Sequence, residues 1–477
     1  DVTVPALFGR AINLYWDGRH LPQVLALAAS DAPWWRIAVV ATGALALVWA
    51  IHRCAAWALA ALQRGLALRP VRRAAVAASL LAIALFAASR VTPPMVDPGL
   101  FARPVTATFA QQAAFVATAL SPTSVRKALP PGPAFESNLG NLRSADLMLV
   151  FVESYGATTL DEPRHARALA DRRAALARAL ATSGRSVVSA RVRSPTFGGA
   201  SWLAHASLLS GIDMHDPGRY DLLLTTDRPT LVGLFREHGY DTVALMPGLR
   251  SPWPEGRFYG FTTLYDSRAL DYRGPEFGFW RIPDQFALAR LDALELAAPA
   301  RAPRFVFFPT ITSHIPFRPV PPYAADWQAL LGTHPFDAGQ VERTLAQPAD
   351  WHDLVPGYLE SVAYTFDWLT GYLSQAVDRD TVMIVVGDHQ PVAGVSGRDA
   401  TWDVPVHVIA SRTALLGRFE AAGFCPGLEP RGAAIGAMHE LTEVLLAAFD
   451  DAAPRAAYRR VSACAQPGSA AGADDSA

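Results

Sequence analysis

The stretch Thr381-Val-Met-Ile-Val-Val-Gly387-Asp388-His389 joins a short apolar run to two residues of types that bind metal ions. Val and Ile dominate the run, as is typical of a strand in a parallel sheet covered on both faces. Such a strand delivers its last residues to the carboxyl edge of the sheet, where α/β enzymes bind their ligands. The stretch therefore predicts a functional site after this strand, although a capped turn would give the same pattern.

Two further apolar runs end in residues that can carry chemistry. Leu147–Val152 is followed by Glu153, and Phe305–Thr310 is followed by Thr312-Ser-His-Ile-Pro-Phe317. Strand and helix patterns alternate along the chain, which predicts an α/β fold with a mostly parallel, doubly wound sheet flanked by helices. The remaining predicted strands are 186–192, 242–246 and 404–410, and the predicted helices are 161–183, 201–209, 230–238 and 358–377.

Glu153, Asp388 and His389 are the candidate metal ligands. Two carboxylates and one imidazole suit one divalent ion, Mn or Zn. Glu153 could instead sit in an ordinary strand-to-loop turn. However, a lone carboxylate directly after a strongly apolar strand needs a partner, because burying it uncompensated is costly.

Ser201 follows Phe197-Gly-Gly-Ala200 and opens a predicted helix. A hydroxyl at a helix N-terminus lies where an anionic phosphoryl or sulfuryl group would bind. Coordination to a cation would make this hydroxyl a nucleophile and a fourth metal ligand. An ordinary N-cap is the alternative for Ser201. His205, one helical turn later, is either a substrate-binding residue or a packing residue.

Three more residues are weaker candidates. His314 could donate a proton to a leaving oxygen or bind a charged oxygen, or it could be a hydrogen-bonded structural residue. Arg257 could bind a phosphate and Trp253 could stack on a polar head group. An exposed loop explains Trp253 and Arg257 equally well.

The N-terminal region is strongly apolar. Ile37–Ile51 and Ala74–Ser89 are nearly unbroken apolar runs. Flanking Trp and Arg residues extend them to about 20 residues, which predicts transmembrane helices at approximately 34–53 and 72–90. Buried core helices are the alternative.

The charge pattern predicts the orientation of these spans. Arg64, Arg69, Arg72 and Arg73 lie between them, and basic loops stay in the cytoplasm. Everything after about residue 90 is then expected outside the cytoplasmic membrane. Because Asp1 is not an initiator residue, we expect further spans before it, with residues 1–34 as an outer loop.

Composition supports a membrane region followed by a large folded domain. The chain has 477 residues, 51% of them hydrophobic, and a net charge of -1, which gives no basis for nucleic-acid binding. Residues 1–90 are the predicted membrane region, 91–145 a Pro-rich linker, 146–465 the catalytic domain and 466–477 a disordered tail. Cys425 and Cys464 are candidates for a disulfide in an oxidising compartment.

As an ordered set, these motifs resemble the sulfatase-like branch of the alkaline phosphatase superfamily. Within it they are similar to membrane-anchored lipoteichoic acid synthases and the related phosphoglycerol and phosphoethanolamine transferases. The matching stretches are Val150-Phe-Val-Glu-Ser154, Gly198-Gly-Ala-Ser201, His238-Gly-Tyr240, Thr312-Ser-His-Ile-Pro-Phe317 and Gly387-Asp-His389, within about residues 145–450.

The resemblance implies an alkaline phosphatase/sulfatase-like fold and a covalent phospho-enzyme mechanism. In that family the Glu and the Asp-His pair bind Mn or Zn with the nucleophilic hydroxyl. A head group passes from a membrane phospholipid donor to an acceptor, here expected to be a cell-envelope glycan or lipid. Transmembrane helices before an external catalytic domain fit the same family, so we expect a multi-pass protein of the inner membrane with its catalytic domain on the periplasmic or extracellular side.

The sequence also departs from the family pattern. Ser201 stands where those transferases usually have Thr, and Glu255 stands where the family has the substrate-site Arg two residues after the Trp. True sulfatases mature a Cys or Ser within Cys/Ser-x-Pro-x-Arg, whereas Ser201–His205 lacks both the Pro and the Arg. Two alternatives stay open: an ester hydrolase of the same fold, and an inactive membrane-tethered binding protein.

Overall fold

The structure, a computed structural model, describes most of the chain. The described residues are 33–91, 105–119, 121, 129–250, 252–278, 282–298, 300–375, 380–452 and 464. They belong to two compact units, one within residues 12–120 and the other from residue 121 onwards. The tail expected at 466–477, and all but the last two residues of the loop expected at 1–34, lie outside the described residues.

The described residues of the N-terminal unit form the helices α1 Trp34–Ala67, α2 Arg69–Val91 and α3 Val105–Ala119. Both α1 and the Arg69–Ala87 part of α2 are long and apolar enough to cross a membrane. The stretch between the apolar runs, expected to be a loop, is instead helical up to a break at Leu68. Helix α1 continues to Ala67 because Ala, Leu and Arg favour helix. Pro70 lacks an N–H and so lies in the first turn of the next helix, α2.

The second unit is built on one eight-stranded sheet with the order β4-β3-β5-β1-β6-β7-β2-β8. Its strands are β1 Asp146–Val152, β2 Ser186–Arg193, β3 Asp241–Leu245, β4 Thr263–Tyr265, β5 Arg304–Pro309, β6 Thr381–Gly387, β7 Asp403–Ala410 and β8 Cys425–Pro426. The helices of this unit are α4 Thr158–Asp161, α5 Pro163–Ala168, α6 Ala170–Thr182, α7 Ser201–Ser210, α8 Pro217–Leu223, α9 Leu231–Glu237, α10 Gly256–Tyr259, α11 Asp284–Leu291, α12 Ala338–Leu345, α13 Val355–Ser374, α14 Ala393–Ser396, α15 Thr413–Ala421 and α16 Leu441–Phe449.

Five neighbouring strands, from β4 to β6, are parallel, which confirms the predicted mostly parallel sheet. Strand β7 runs antiparallel to β6, and β2 runs antiparallel to β7. Strand β2 therefore points the same way as the parallel strands. As a result, the chain leaving β2 towards Ser201 emerges at the same edge as the ends of β1, β5 and β6.

The sheet is covered on both faces, as predicted for a doubly wound fold. Every residue of β1 is buried. Its odd-numbered residues from 147 to 151 pack against the side that carries α7, α9, α15 and α16. Its even-numbered residues from 148 to 152 pack against the side that carries α6, α11 and α13. This two-sided burial explains why the strand sequences are continuous apolar runs rather than alternating ones.

The predicted single helix at 161–183 is wrong. The segment contains two helices, α5 and α6, which are separated at Leu169, while α4 ends at Asp161. Glu162 adopts an extended conformation and caps α5 by accepting a hydrogen bond from the Arg164 N–H, and Pro163 occupies the first turn. Proline lacks the N–H that a continuous helix would need here, so it begins a new helix instead.

A disulfide joins Cys425 in β8 to Cys464, with 5.5 Å between their Cα atoms. The two residues are 39 positions apart in the sequence. The bridge therefore ties the far C-terminal part of the chain to the edge strand of the sheet.

The register of β1 against β6 demands a residue without a side chain at Gly387. Val152 lies opposite Gly387, and a Cβ at Gly387 would lie 1.9 Å from the carbonyl oxygen of Tyr155. We expect Gly387→Ala to lower the free energy of unfolding by about 3 kcal/mol, because the backbone of Tyr155 would have to move. Thermal unfolding followed by circular dichroism measures this.

Gly417→Ala is the matched control. Gly417 lies inside α15 on the surface, with open space where a Cβ would stand. This change is expected to stabilise the helix by up to about 1 kcal/mol. Equal effects of the two substitutions would contradict the packing argument.

Candidate functional site

Three strand-end residues converge at the carboxyl edge of the sheet. Glu153 follows β1, while Asp388 and His389 follow β6, the strand that pairs with β1. All three side chains are buried, and one oxygen or nitrogen ligand atom from each lies within 4.8 Å of the others. The structure thus brings together the three metal ligands expected from the sequence.

Ser201 reaches this cluster from the first position of α7. Its Oγ donates a 3.0 Å hydrogen bond to Glu153 Oε2 and lies 3.2 Å from His389 Nε2. The residue before it, Ala200, occupies the N-cap position in the left-handed region at φ 64° and makes no side-chain cap. The alternative interpretation of Ser201 as an ordinary N-cap is therefore wrong. Its hydroxyl points to the cluster.

Backbone strain accompanies this turn. Gly198, Gly199 and Ala200 all have positive φ, and so does Ser154 beside Glu153. A residue with a Cβ in the left-handed region costs about 1–2 kcal/mol. The fold maintains the left-handed conformation at Ala200, beside Ser201, and at Ser154, beside Glu153. The two strained residues therefore flank the hydrogen bond between Ser201 and Glu153.

The negative charges of the Glu153 and Asp388 carboxylates repel one another. Burial and the nearby charge of Glu153 raise the pKa of Asp388 to about 7. Burial alone would lower the pKa of His389, but the charges of Asp388 and Glu153 raise it overall. The cluster therefore has a deficit of positive charge.

The orientation of His389 places its second ring nitrogen in the cluster. Its Nδ1 lies 2.8 Å from the carbonyl oxygen of Gln390, which can only accept, so Nδ1 carries a hydrogen. Nε2 then faces carboxylate oxygens of Glu153 and Asp388, each 3.5 Å away, and the raised pKa of His389 favours a proton on Nε2 that a bound cation would replace. Three electron-rich atoms around one point fit a divalent cation, and the oxygen and nitrogen donors fit Mn or Zn.

Hydrogen bonds from serine residues hold the ligands in place. The Ser154 N–H donates to Asp388 Oδ1 at 2.8 Å, and its hydroxyl donates to Glu153 Oε1 at 3.0 Å. Ser313 donates to the Glu153 carbonyl and Ser194 to the Asp388 carbonyl, each at 2.5 Å. Sequence reasoning missed all three. Ser154 and Ser313 stand inside quoted motifs, whereas nothing local marks Ser194.

A buried hydrogen-bond chain connects Tyr155, two residues after Glu153, with β2 beside β8. The Tyr155 hydroxyl lies 3.1 Å from His407 Nε2, and the Ser189 hydroxyl lies 2.7 Å from His407 Nδ1. Ser189 pairs in register with Cys425, the disulfide residue of β8. Burial lowers the pKa of His407 to about 4, so its imidazole is neutral in the folded protein at neutral pH.

His314 lies near the cluster in a polar loop after β5. Burial lowers its pKa, and the charges of His389 and Asp388 also influence that pKa. Its Nδ1 lies 2.7 Å from the carbonyl oxygen of Ile315, so Nδ1 carries the hydrogen. At neutral pH the unprotonated Nε2 is therefore suited to accept a proton rather than to donate one.

His205 packs against aromatic rings. Its ring centroid lies 4.6 Å from that of Phe151 and 5.3 Å from that of Phe307. Burial lowers its pKa to about 4. Among the described residues His205 Nε2 has no hydrogen-bond partner. Of the two roles expected for His205, packing fits these contacts better than substrate binding.

The structure does not join Trp253 and Arg257 to the metal-ligand cluster. The Trp253 ring stacks on Tyr259 with centroids 5.9 Å apart and also packs against Phe261. Arg257 is exposed. The hydrogen bonds and ion pairs described around Glu153, Asp388 and His389 include neither Trp253 nor Arg257.

A protein-family model described as Sulfatase matches residues 148–408, more than half of the chain. No curated protein matches the chain.

Several solved structures are similar in part. A protein in the alkaline phosphatase superfamily from Vibrio parahaemolyticus is 17% identical, with a TM-score of 0.42, covering 70% of this chain and 74% of that one. The lipoteichoic acid synthase LtaP from Listeria monocytogenes is 16% identical, with a TM-score of 0.39, covering 60% and 70%. The C-terminal periplasmic domain of phosphoethanolamine transferase EptC from Campylobacter jejuni is 12% identical, with a TM-score of 0.42, covering 64% and 89%.

Metal binding is expected to stabilise the fold through the clustered ligands. Adding Mn²⁺ or Zn²⁺ to chelator-treated protein should raise the unfolding temperature by several degrees, since a ligand at 100 times its Kd contributes about 2.7 kcal/mol. Asp388→Asn should abolish the shift. Without metal this variant should unfold at the same or a higher temperature than the wild type, because the substitution removes a carboxylate that opposes Glu153. Differential scanning fluorimetry measures both effects.

Asp399→Asn is the control for this experiment, because Asp399 is an exposed carboxylate outside the cluster. It should keep the full metal-dependent shift. A shift of wild-type size in Asp388→Asn would contradict the assignment of Asp388 as a ligand.

The neutral state of His407 predicts a pH dependence of stability. Its folded pKa of about 4 lies below the ordinary value of about 6.5. The unfolded chain therefore binds the extra proton first, and stability is lost as pH falls from 6.5 towards 4. At pH 5 the loss amounts to roughly 2 kcal/mol.

His407→Gln should remove this part of the loss while keeping a hydrogen-bonding side chain. The measurement is the free energy of unfolding in urea at pH 7.5 and pH 5.0. His334→Gln, at an exposed histidine, should leave the wild-type pH dependence unchanged. An unchanged pH dependence in His407→Gln would show that His407 does not titrate in this way.

Proposed function

The chain belongs to the sulfatase family, and from that premise we propose that it is a metal-dependent transferase that moves a phosphoglycerol or phosphoethanolamine head group from a phospholipid to a cell-envelope acceptor. One observation carries the proposal. The Ser201 hydroxyl lies within hydrogen-bond distance of Glu153 and His389, at a cluster of buried ligands that lacks positive charge.

Glu153, Asp388 and His389 would hold one divalent cation, Mn or Zn, together with the oxygen of Ser201. When bound, the cation would lower the pKa of the serine hydroxyl and neutralise charge on the reacting phosphoryl group. The hydrogen bonds from Ser154, Ser194 and Ser313 would orient the protein ligands before the substrate arrives.

In the first half-reaction, Ser201 Oγ attacks the phosphorus of the donor phosphodiester. The Oγ–phosphorus bond forms as the bond from phosphorus to the diacylglycerol oxygen breaks, and the serine proton ends on that leaving oxygen. Glu153 Oε2, which already accepts the hydrogen bond of Ser201, is positioned to hold the proton during transfer. The N-terminus of α7 favours the negative charge of the phosphoryl oxygens.

In the second half-reaction, an acceptor hydroxyl attacks the same phosphorus and Ser201 is released. The acceptor oxygen–phosphorus bond forms as the Ser201 Oγ–phosphorus bond breaks. The neutral Nε2 of His314 takes the proton of the acceptor hydroxyl, because Nδ1 is committed to the Ile315 carbonyl and burial lowers the pKa of the ring. That proton is then returned to the released Ser201 oxygen, which restores both residues for the next turnover. His314 is thus proposed as a base at the acceptor oxygen. This differs from the sequence-based expectation, in which His314 donates a proton to a leaving oxygen or binds a charged oxygen.

The membrane setting follows from the same proposal. Two apolar helices precede the catalytic unit, and a disulfide joins Cys425 and Cys464. Disulfides persist in oxidising compartments, so the catalytic unit is proposed to lie on the external side of the cytoplasmic membrane. A phospholipid donor would then lie in the membrane that holds the enzyme.

Ester hydrolysis is the second candidate, because the matching family model is that of sulfatases. Water would then take the place of the acceptor in the second half-reaction. A formylglycine mechanism is not part of this alternative, because residues 201–205 lack the Pro and Arg of that maturation signal. An inactive binding protein fits less well, because the ligand types and the serine hydroxyl are all in place.

A covalent adduct on Ser201 is the decisive prediction. After incubation with mixed bacterial phospholipids, the tryptic peptide that contains Ser201 should gain the mass of a phosphoglycerol or phosphoethanolamine group in mass spectrometry. Ser201→Ala should lose the adduct and reduce head-group transfer by about 10³-fold or more, because no other nucleophile replaces the hydroxyl. Ser201→Thr should retain activity.

Ser411→Ala, at an exposed serine, is the matched control and should behave like the wild type. Labelled head group recovered on a sugar or lipid acceptor supports transfer, whereas free head group alone supports hydrolysis. Full biological activity of the Ser201→Ala protein would contradict both enzymatic functions.

A further inference from the structure

A cavity of about 320 Å³ lies beside the candidate active site and has no role in the chemistry described so far. Its polar and aromatic lining includes Arg193, Ser194, Asp213, His215, Trp402 and His439. We name it the β2 cavity because Arg193 and Ser194 lie at the end of β2. By comparison, the cavity beside His314 measures about 30 Å³. Pockets for small ligands begin at about 300 Å³.

The walls of the β2 cavity are held together by backbone hydrogen bonds. The Arg193 N–H donates to the Gly436 carbonyl at 2.9 Å, which links the end of β2 to the segment that carries His439. The Ser194 N–H donates to the Trp402 carbonyl at 2.9 Å. The cavity is therefore formed before any ligand binds.

The β2 cavity and the metal-ligand cluster share a wall. Ser194 lines the cavity, and its hydroxyl donates to the Asp388 carbonyl at 2.5 Å. Trp402 packs against Phe197, in the loop that leads to Ser201, with ring centroids 5.8 Å apart. Ser207, on the nucleophile helix α7, also lines the cavity. A molecule bound here would lie next to the nucleophile loop.

The charges in the cavity are mixed. Asp213 Oδ2 lies 2.6 Å from His215 Nδ1 and 3.6 Å from Arg219, and the nearby His439 also influences its pKa. An anionic ligand would meet the carboxylate of Asp213. A cationic ligand would meet Arg193 and two imidazoles. A neutral ligand with several hydroxyl groups can donate to Asp213 and accept from the basic residues.

Trp402 adds a flat apolar surface to this polar lining. Its side chain is 38% exposed, so part of the indole is open to a ligand. A sugar ring combines an apolar face with a rim of hydroxyl groups, and it matches an aromatic plate surrounded by donors and acceptors.

We propose that the β2 cavity binds a neutral sugar of the acceptor, with one face of the sugar ring against Trp402 and its hydroxyl groups on Asp213 and His439. This assignment rests on the proposed transferase function, and it makes the acceptor a glycan rather than a lipid. The sugar would approach the phosphoryl group on Ser201 from the side of β2.

Binding of methyl glycosides of glucose, galactose and N-acetylglucosamine to the full chain in lipid nanodiscs tests the proposal. Saturation-transfer NMR in nanodiscs of phosphatidylcholine, which carries neither of the two proposed donor head groups, should detect at least one of the three. Trp402→Ala should weaken that binding about tenfold or more, and Trp402→Phe should keep most of it. His439→Gln is a second variant that should weaken binding without removing the aromatic plate.

The control is Trp351→Ala, at a tryptophan that is 67% exposed and does not line the cavity. It should bind the glycosides like the wild type. The Ser201→Ala protein should also bind them, because it retains the cavity and lacks only the nucleophile.

No binding of any of the three glycosides, or equal binding by Trp402→Ala and the wild type, would overturn the proposal. Binding of inorganic phosphate or choline that depends on Trp402, in place of the glycosides, would overturn the assignment of a neutral ligand. A different result would show that the proposed transferase function fails while the cavity assignment holds. Sugar binding that depends on Trp402, together with no adduct on Ser201 from any phospholipid, supports the cavity assignment and contradicts the transferase.

Discussion

Two buried carboxylates and one imidazole share a space less than 5 Å across, and the repulsion between the carboxylates is the constraint around which the site is organised. Glu153 and Asp388 raise each other's energy when ionised, and together they raise the pKa of His389. A proton on Asp388 or on His389 relieves the repulsion, and so would a divalent cation at the centre. The serine hydroxyl lies at this point, so the same charge that satisfies the ligands would also activate the nucleophile.

The sheet maintains this costly arrangement. Pairing of β1 with β6 fixes Val152 opposite Gly387, so that Glu153 and Asp388 emerge side by side. Both strands are buried on both faces, and their register cannot slip without exposing apolar side chains. Serine hydroxyls and backbone N–H groups then lock the carboxylates and their backbone. The stability of the core thus offsets the strain of the site.

The sequence predicted much of this arrangement, and its failures have physical reasons. Continuous apolar strands ending in Glu153 and in Asp388–His389 revealed the sheet edge and the ligand types. The single helix expected at 161–183 is interrupted before Pro163, which starts a new helix, and again at Leu169. The substrate role expected for Trp253 stays a prediction, and no local pattern in the sequence indicates the packing of its ring against Tyr259. Ser194 and the β2 cavity were missed because they depend on segments far apart in the chain.

Local patterns in the sequence predict the α/β class, the apolar N-terminal helices and the residue types of the site, because periodicity and strand-end residues are local properties. The packing of distant segments places Ser201 against Glu153 and His389, orients the His389 ring and packs His205 against two aromatic rings. These features depend on strand order and on the direction of β2, which is antiparallel to β7 and therefore runs the same way as β6. Ser201 contacts residues that are 48 and 188 positions away in the sequence, and such distances are set by packing and not by any local pattern.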